Sequence, residues 1–116
     1  MGFWDVIMGV GKSASNAAAE RIKKNHLDAW EKIKISPVER INDFYKQNNT
    51  SNCNRPSFRG LAISALYLRG GEYERLWRED QNAVDWLKSF RVKISLDTSD
   101  SAEELRRVID HLVERC

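Results

Sequence analysis

Few residues in this chain have the type or spacing to do chemistry. His26 and His111 are the two histidines and Cys53 and Cys116 the two cysteines. A zinc site needs about four nitrogen or sulfur ligands grouped at short spacings, and neither histidine has another His or Cys at such a distance. His26 follows the basic run Arg21 to Lys24, and His111 lies among Asp110, Glu114 and Arg115. Both are expected at a helix edge or facing solvent. Cys53 would act as a nucleophile only as a thiolate beside a base. The local features favouring the thiolate are Arg55 and a helix start near Pro56 or Ser57. A cysteine-dependent enzyme at Cys53 is therefore kept as an alternative reading.

Other patterns fail on their own terms. Gly9-Val10-Gly11-Lys12-Ser13 resembles the end of a phosphate-binding loop, but that motif needs glycine at position 6 and a preceding strand. Val6 stands there, and no strand pattern precedes it. Glu79-Asp80 and Glu103-Glu104 are adjacent pairs, which splay apart on a helix and read as surface. Arg55, Arg59, Arg69, Arg75 and Arg78 lie close together near Tyr73 and Trp77, a mixture that can grip phosphate or RNA. Glu72, Glu74, Glu79 and Asp80 are interleaved with them and blunt the field, so a solvated face is expected. No catalytic residue, cofactor, metal or nucleic-acid partner is expected from these patterns.

The elements that would position these groups read as helices. Ser57 to Gly71 is the anchor. Phe58, Leu61, Ala62, Ala65 and Leu66 recur at helical spacing, with Ile63 and Tyr67 on a second side. Such a helix is buried by neighbours, and Gly70-Gly71 ends it. Before it, residues 3 to about 33 read as one long helix, weakened near Gly9 and Gly11. Its stripe runs Phe3, Ile7, Val10, Ala14, Ala17, Ala18 and Ile22, continued by Ala29, Trp30 and Ile33. Ser36-Pro37-Val38-Glu39 has the form of a capping box with Pro in the first turn, opening a helix to about Gln47. The Asn- and Ser-rich stretch to Asn54 is a loop.

Glu72 to about Phe90 reads as a further helix with a weak spot at Asp80-Gln81-Asn82. Residues 91–97 alternate apolar and polar, a strand pattern. Its candidate mate is Lys32 to Ser36. An extended linker packed on helices fits the same residues equally well, because two-stranded ribbons are marginal alone. Ser99 to Ser101 are expected to cap a final helix, Ser101 with Glu104 fits a second capping box, and Leu105, Val108, Ile109, Leu112 and Val113 make its stripe. The expected fold is mainly α: a compact bundle of about five helices with one short extended segment, 91–97, before the C-terminal helix.

With 116 residues and 41% hydrophobic side chains, the chain suits one domain, 1–116, whose core needs no disulfide or metal. A net charge of +2 is too small to imply nucleic acid. Two cysteines are not a disulfide framework, no apolar run approaches the roughly 20 residues of a membrane span, and no secretory pattern opens the chain. A cytoplasmic location is expected. The first ten residues fit a plain surface least. Phe3, Trp4, Val6, Ile7, Met8 and Val10 are apolar and almost consecutive, and a chain end needs such content only when it docks. Residues 1–12 are thus a candidate mobile docking segment, and Phe3, Trp4, Ile7 and Met8 the candidate partner-binding residues. The function these features favour is a non-enzymatic protein-binding module of adaptor, inhibitor or immunity type, using a protein partner or self-association. A peripheral membrane protein using the same apolar segment is the further alternative.

Overall fold

Gly70 sits where the apolar run should end, with φ of 78°. That left-handed conformation costs a side chain dearly and glycine nothing. The helix it closes, α3, spans Pro56–Arg69. The computed structural model describes the backbone of residues 2–115 and the side chains of residues 17–115. Six helices occur among the described residues, in the order α1 (Gly2–Ile33), α2 (Val38–Gln47), α3, α4 (Glu74–Glu79), α5 (Gln81–Lys93) and α6 (Asp100–Arg115). They contain no strand, and one isolated bridge joins Asn49 to Asn54.

As its sequence predicts, α3 is the centre. Arg59 to Leu66 are all buried, and α3 packs against α1, α2, α5 and α6. The approach to α5 is close: a Cβ at Gly60 would lie 2.9 Å from Leu87 Cγ and 3.2 Å from the Ala83 carbonyl. Around α3 one apolar cluster gathers Leu27, Trp30 and Ile33 of α1, Ile41 and Tyr45 of α2, Val84, Leu87 and Phe90 of α5, and Leu105, Ile109 and Leu112 of α6.

The extended segment at 91–97 does not form. Residues 91–93 complete α5, and a turn follows. The alternation misleads because its apolar members do not share a face: Ile94 is fully buried, whereas Val92 is 71% and Leu96 93% exposed. Lys32 to Ser36 is likewise the end of α1 and a turn. The weak spot at Asp80 is a real break, splitting the expected fourth helix into α4 and α5. The Asp80 carboxylate accepts from the Ala83 N–H at 3.1 Å and starts a new helix.

Neither predicted capping box forms. Ser36 Oγ donates back to the Lys32 carbonyl at 3.0 Å, and Pro37 caps α2 without a side-chain bond. At α6 the cap is Ser99, whose hydroxyl accepts from Ala102 N–H at 3.3 Å. Ser101 and Glu104 are drawn instead to α1.

Candidate functional site

The polar groups converge at one point. Arg59 is 3% exposed, the one charged residue in the buried stretch of α3 from Arg59 to Leu66. Its Nε donates to Asp80 Oδ2 at 2.7 Å and its Nη2 to Asp80 Oδ1 at 3.3 Å. Nη1 donates to the Asn48 carbonyl at 3.0 Å and to the Asn54 side chain. Tyr45 Oη donates to Asp80 Oδ2 at 2.7 Å. One guanidinium thus ties the end of α2, the loop after it, α3 and the α4–α5 junction together. Arg59 and Asp80 are therefore not surface groups, as the sequence reading had them. Arg55, Arg69, Arg75 and Arg78 remain exposed.

This network floors a cleft of about 840 Å³ that also meets Lys46, Glu72, Arg75 and Glu79. Its chemistry is spent internally. A carboxylate offers about four lone-pair sites, and Asp80 fills four with two Arg59 nitrogens, Tyr45 and Ala83. Burial alone would raise the Asp80 pKa, but the bonds from Arg59, Tyr45 and Ala83 outweigh it and lower it from 3.8. Burial, and then the bond to Asp80, raise that of Tyr45. Neither group is poised to exchange a proton near neutrality. Cys53 is half-buried in the adjoining loop, its Sγ 3.6 Å from Asn48 Oδ1. The structure brings the thiol to an amide oxygen, which is not a base.

His26 is not a solvent-facing histidine. Its ring lies 5.0 Å from Trp86, 5.6 Å from Phe90 and 5.7 Å from Phe58 between centroids, and its Nδ1 is buried without a hydrogen-bond partner. Burial lowers its pKa from 6.5, against the pull of the Ile22 carbonyl and helped by the charge of Lys93. A base with a depressed folded-state pKa contributes full stability above its unfolded value and loses it as pH falls below that value. The urea midpoint of the protein is therefore expected to fall as pH drops below 6.5, and the fall is expected to shrink in His26→Leu. Equal pH slopes in the two proteins would contradict this account of the ring. His111 is exposed, as expected, with Nδ1 3.2 Å from Tyr67 Oη.

The most informative geometry lies along α1. Its second half is clamped to the domain. Lys23 pairs with Asp97 at 3.3 Å. Trp30, fully buried, donates from Nε1 to Glu104 at 3.2 Å, and Lys34, just past the helix, reaches the same carboxylate at 2.7 Å. Ser101 bonds to Glu31. With His26, Leu27 and Ile33 these residues form one face. Before Lys23 the clamp ends: Ala17 to Arg21 are exposed and Ile22 is 53% exposed.

The expected stripe from Phe3 to Ile33 is therefore not continuous. At about 100° per residue, Lys23, His26, Leu27, Trp30 and Ile33 lie on one side of the helix. The register of Phe3, Ile7, Val10, Ala14 and Ala17 lies on the other, roughly 180° round. That outer line continues through Arg21, Lys24, Asn25, Asp28 and Lys32, every one exposed. It is apolar in the first half of α1 and charged in the second. By register Trp4 flanks the apolar line and Met8 lies further toward the clamped side. The side chains of Phe3, Trp4, Ile7 and Met8 lie outside the described residues, so the structure places the helix that carries them and not their contacts.

Among the described residues no group of His, Cys, Asp and Glu could hold a metal ion, and no helix is long and apolar enough to cross a membrane. Compared with models of protein families, with curated proteins and with solved structures, the chain matches none of them.

Proposed function

We propose that the chain is a non-enzymatic protein-binding module, of adaptor, inhibitor or immunity type, and that the first half of α1 is its docking element. The observation that carries this reading is the change along α1. Tertiary contacts hold α1 from Lys23 onward, Ala17 to Ile22 are exposed, and the register line that is charged and exposed from Arg21 on carries apolar residues in the sequence before residue 18. An apolar helix face contributes to stability only when something covers it. Phe3, Trp4 and Ile7 would supply the anchors, since aromatic side chains dominate interface energies. The Arg59–Asp80 network fits the same reading, because it holds the domain together rather than turning toward a substrate. Two cysteines with no pairing pattern are consistent with the reducing cytoplasm.

The test is the double variant Phe3→Ser, Ile7→Asp in the full chain. Its free energy of unfolding is expected to stay within about 0.5 kcal/mol of the parent, the scale of a surface change, while association with protein partners in an extract of the source cell is lost. A destabilisation of 2 kcal/mol or more, roughly that of a core truncation, would show the segment to be core and overturn the reading. So would retained protein association with loss of binding to anionic vesicles, which would make the segment a lipid anchor.

A further inference from the structure

We infer that His26 is a pH-operated latch: protonation of its ring frees residues 23–26 of α1 from the domain and moves the first anchored point of that helix from Lys23 to Leu27. This goes beyond the docking reading and does not rest on it.

Few contacts hold that turn. Ala17 to Arg21 are exposed, and Ile22 is 53% exposed. Lys24 and Asn25 also face solvent. Two side chains remain. Lys23 pairs with Glu20 at 2.9 Å, within α1 itself, and with Asp97 at 3.3 Å. Partly exposed pairs of this kind hold little. His26 makes the larger contact, its ring set against Phe58 of α3 and against Trp86 and Phe90 of α5. From Leu27 onward the anchoring is of another order. Leu27, Trp30 and Ile33 are buried, and Trp30 and Lys34 both bond to Glu104. Losing the His26 contact therefore leaves its turn with one surface pair to the domain and leaves the rest of α1 in place.

The surroundings of His26 suit a neutral ring and not a charged one. Its Nδ1 is buried without a hydrogen-bond partner. On α5, Trp86, Phe90 and Lys93 follow one another at helical spacing, and Lys93 is the charge that acts on the ring. On α3, the Arg55 guanidinium stands 5.6 Å over the centroid of Phe58, and Arg59 is spent on Asp80. The carboxylates bordering this end of α1, Glu20 and Asp97, are both engaged by Lys23. An imidazolium here would be a half-buried cation among cations, with no acid to pair with. Swung out into water, it escapes both costs.

The direction of the effect follows. Burial holds the folded-state pKa of His26 below 6.5, and a ring freed into water returns toward that value. The latch is therefore fully closed above 6.5 and weakens as pH falls below it. Its neighbours do not titrate in that range. Bonds from Ser99, and then from Lys23, keep the Asp97 pKa below 3.8. Bonds from Ser101, and then from Lys34, keep that of Glu31 below 4.5.

Amide exchange of the full chain from about pH 8 to about pH 5, the range in which histidine titrates, tests the latch. Each rate is divided by that of an unstructured chain at the same pH. Amides 23–26 are expected to open more readily than those of Leu61 to Leu66, and their opening to grow by up to about tenfold per pH unit below 6.5. His26→Phe keeps an aromatic ring that cannot charge, and the same amides there should show no such pH dependence. Protection equal to that of Leu61 to Leu66 at every pH would mean that the ring charges only when the whole domain unfolds, and would overturn the latch. So would a flat profile in the parent, or the same slope in His26→Phe. If that variant does not fold, the parent decides alone. Nuclear Overhauser contacts of the His26 ring with Trp86 and Phe90 are expected at the alkaline end and should vanish as the ring protonates, with the signals of α3 unmoved. An imidazolium that keeps those contacts, held by cation–π attraction, would overturn the proposal, as would collapse of the α3 signals along with them.

Discussion

Asp80→Ala is expected to cost about 3–5 kcal/mol, the penalty for removing one member of a buried ion pair. The Asp80 and Arg59 side chains are 11% and 4% exposed. Alanine would leave the guanidinium charged and buried, with Asn48 and Asn54 as its remaining acceptors. It would also strip the acceptor from Tyr45 Oη and the cap from α5 at Ala83. A double-mutant cycle separates these effects. Arg59→Ala made in the Asp80→Ala protein is expected to cost less than in the parent by about 0.5–3 kcal/mol, because the charge it removes is by then unpaired. Acid gives an independent reading. The folded-state pKa of Asp80 lies below 3.8, so its contribution is complete above that value and is lost as pH falls through the folded value. Urea denaturation of the four proteins checks the cycle, and additive losses would show that the pair is not coupled.

Trp30→Ala is the second large effect, at about 3–5 kcal/mol. Trp30 is fully buried on the clamped face of α1. Its loss would open a cavity beside α3 and α6 and leave Glu104 with Lys34 alone. Trp30→Phe keeps part of the packing and removes the Nε1 bond, so its cost should be clearly smaller. Two positions on, Lys32 lies on the outer line and is exposed. Lys32→Ala is expected within about 0.5 kcal/mol of the parent. Chemical denaturation of the three variants settles the assignment of faces, and similar losses at 30 and 32 would refute it.

Much of the fold was legible because the strongest signals are local. The apolar density of α3, the left-handed glycine at its end and the stripe of α6 each depend on a few neighbouring residues, and each holds in the structure save for Val113, which is 45% exposed. Signals whose meaning depends on a distant partner misled. Arg59 looks like an interruption until Asp80, 21 residues on, is seen to neutralise it. In hindsight an arginine within a helix apolar on most sides points to a buried acid. His26 looked like part of a basic run because its aromatic box comes from α3 and α5. Val92, Ile94 and Leu96 mimic a strand because a helix end and a turn can also place apolar residues two apart. The division of α1 was hidden for a related reason. Summed over the whole helix the apolar residues appear to run on, and only the tertiary contacts from Lys23 onward show which side is inward.

Native-state hydrogen exchange of the full chain, diluted until it sediments as a monomer, tests the division of α1 most directly. Amides from Leu27 to Ile33 are expected to be protected to the level of Leu61 to Leu66 in α3, because they open only with the core. Amides before Ala19 are expected to exchange far faster, since a helix without tertiary packing is marginal in water and Gly9 and Gly11 weaken it further. Uniform protection from one end of α1 to the other would contradict the account.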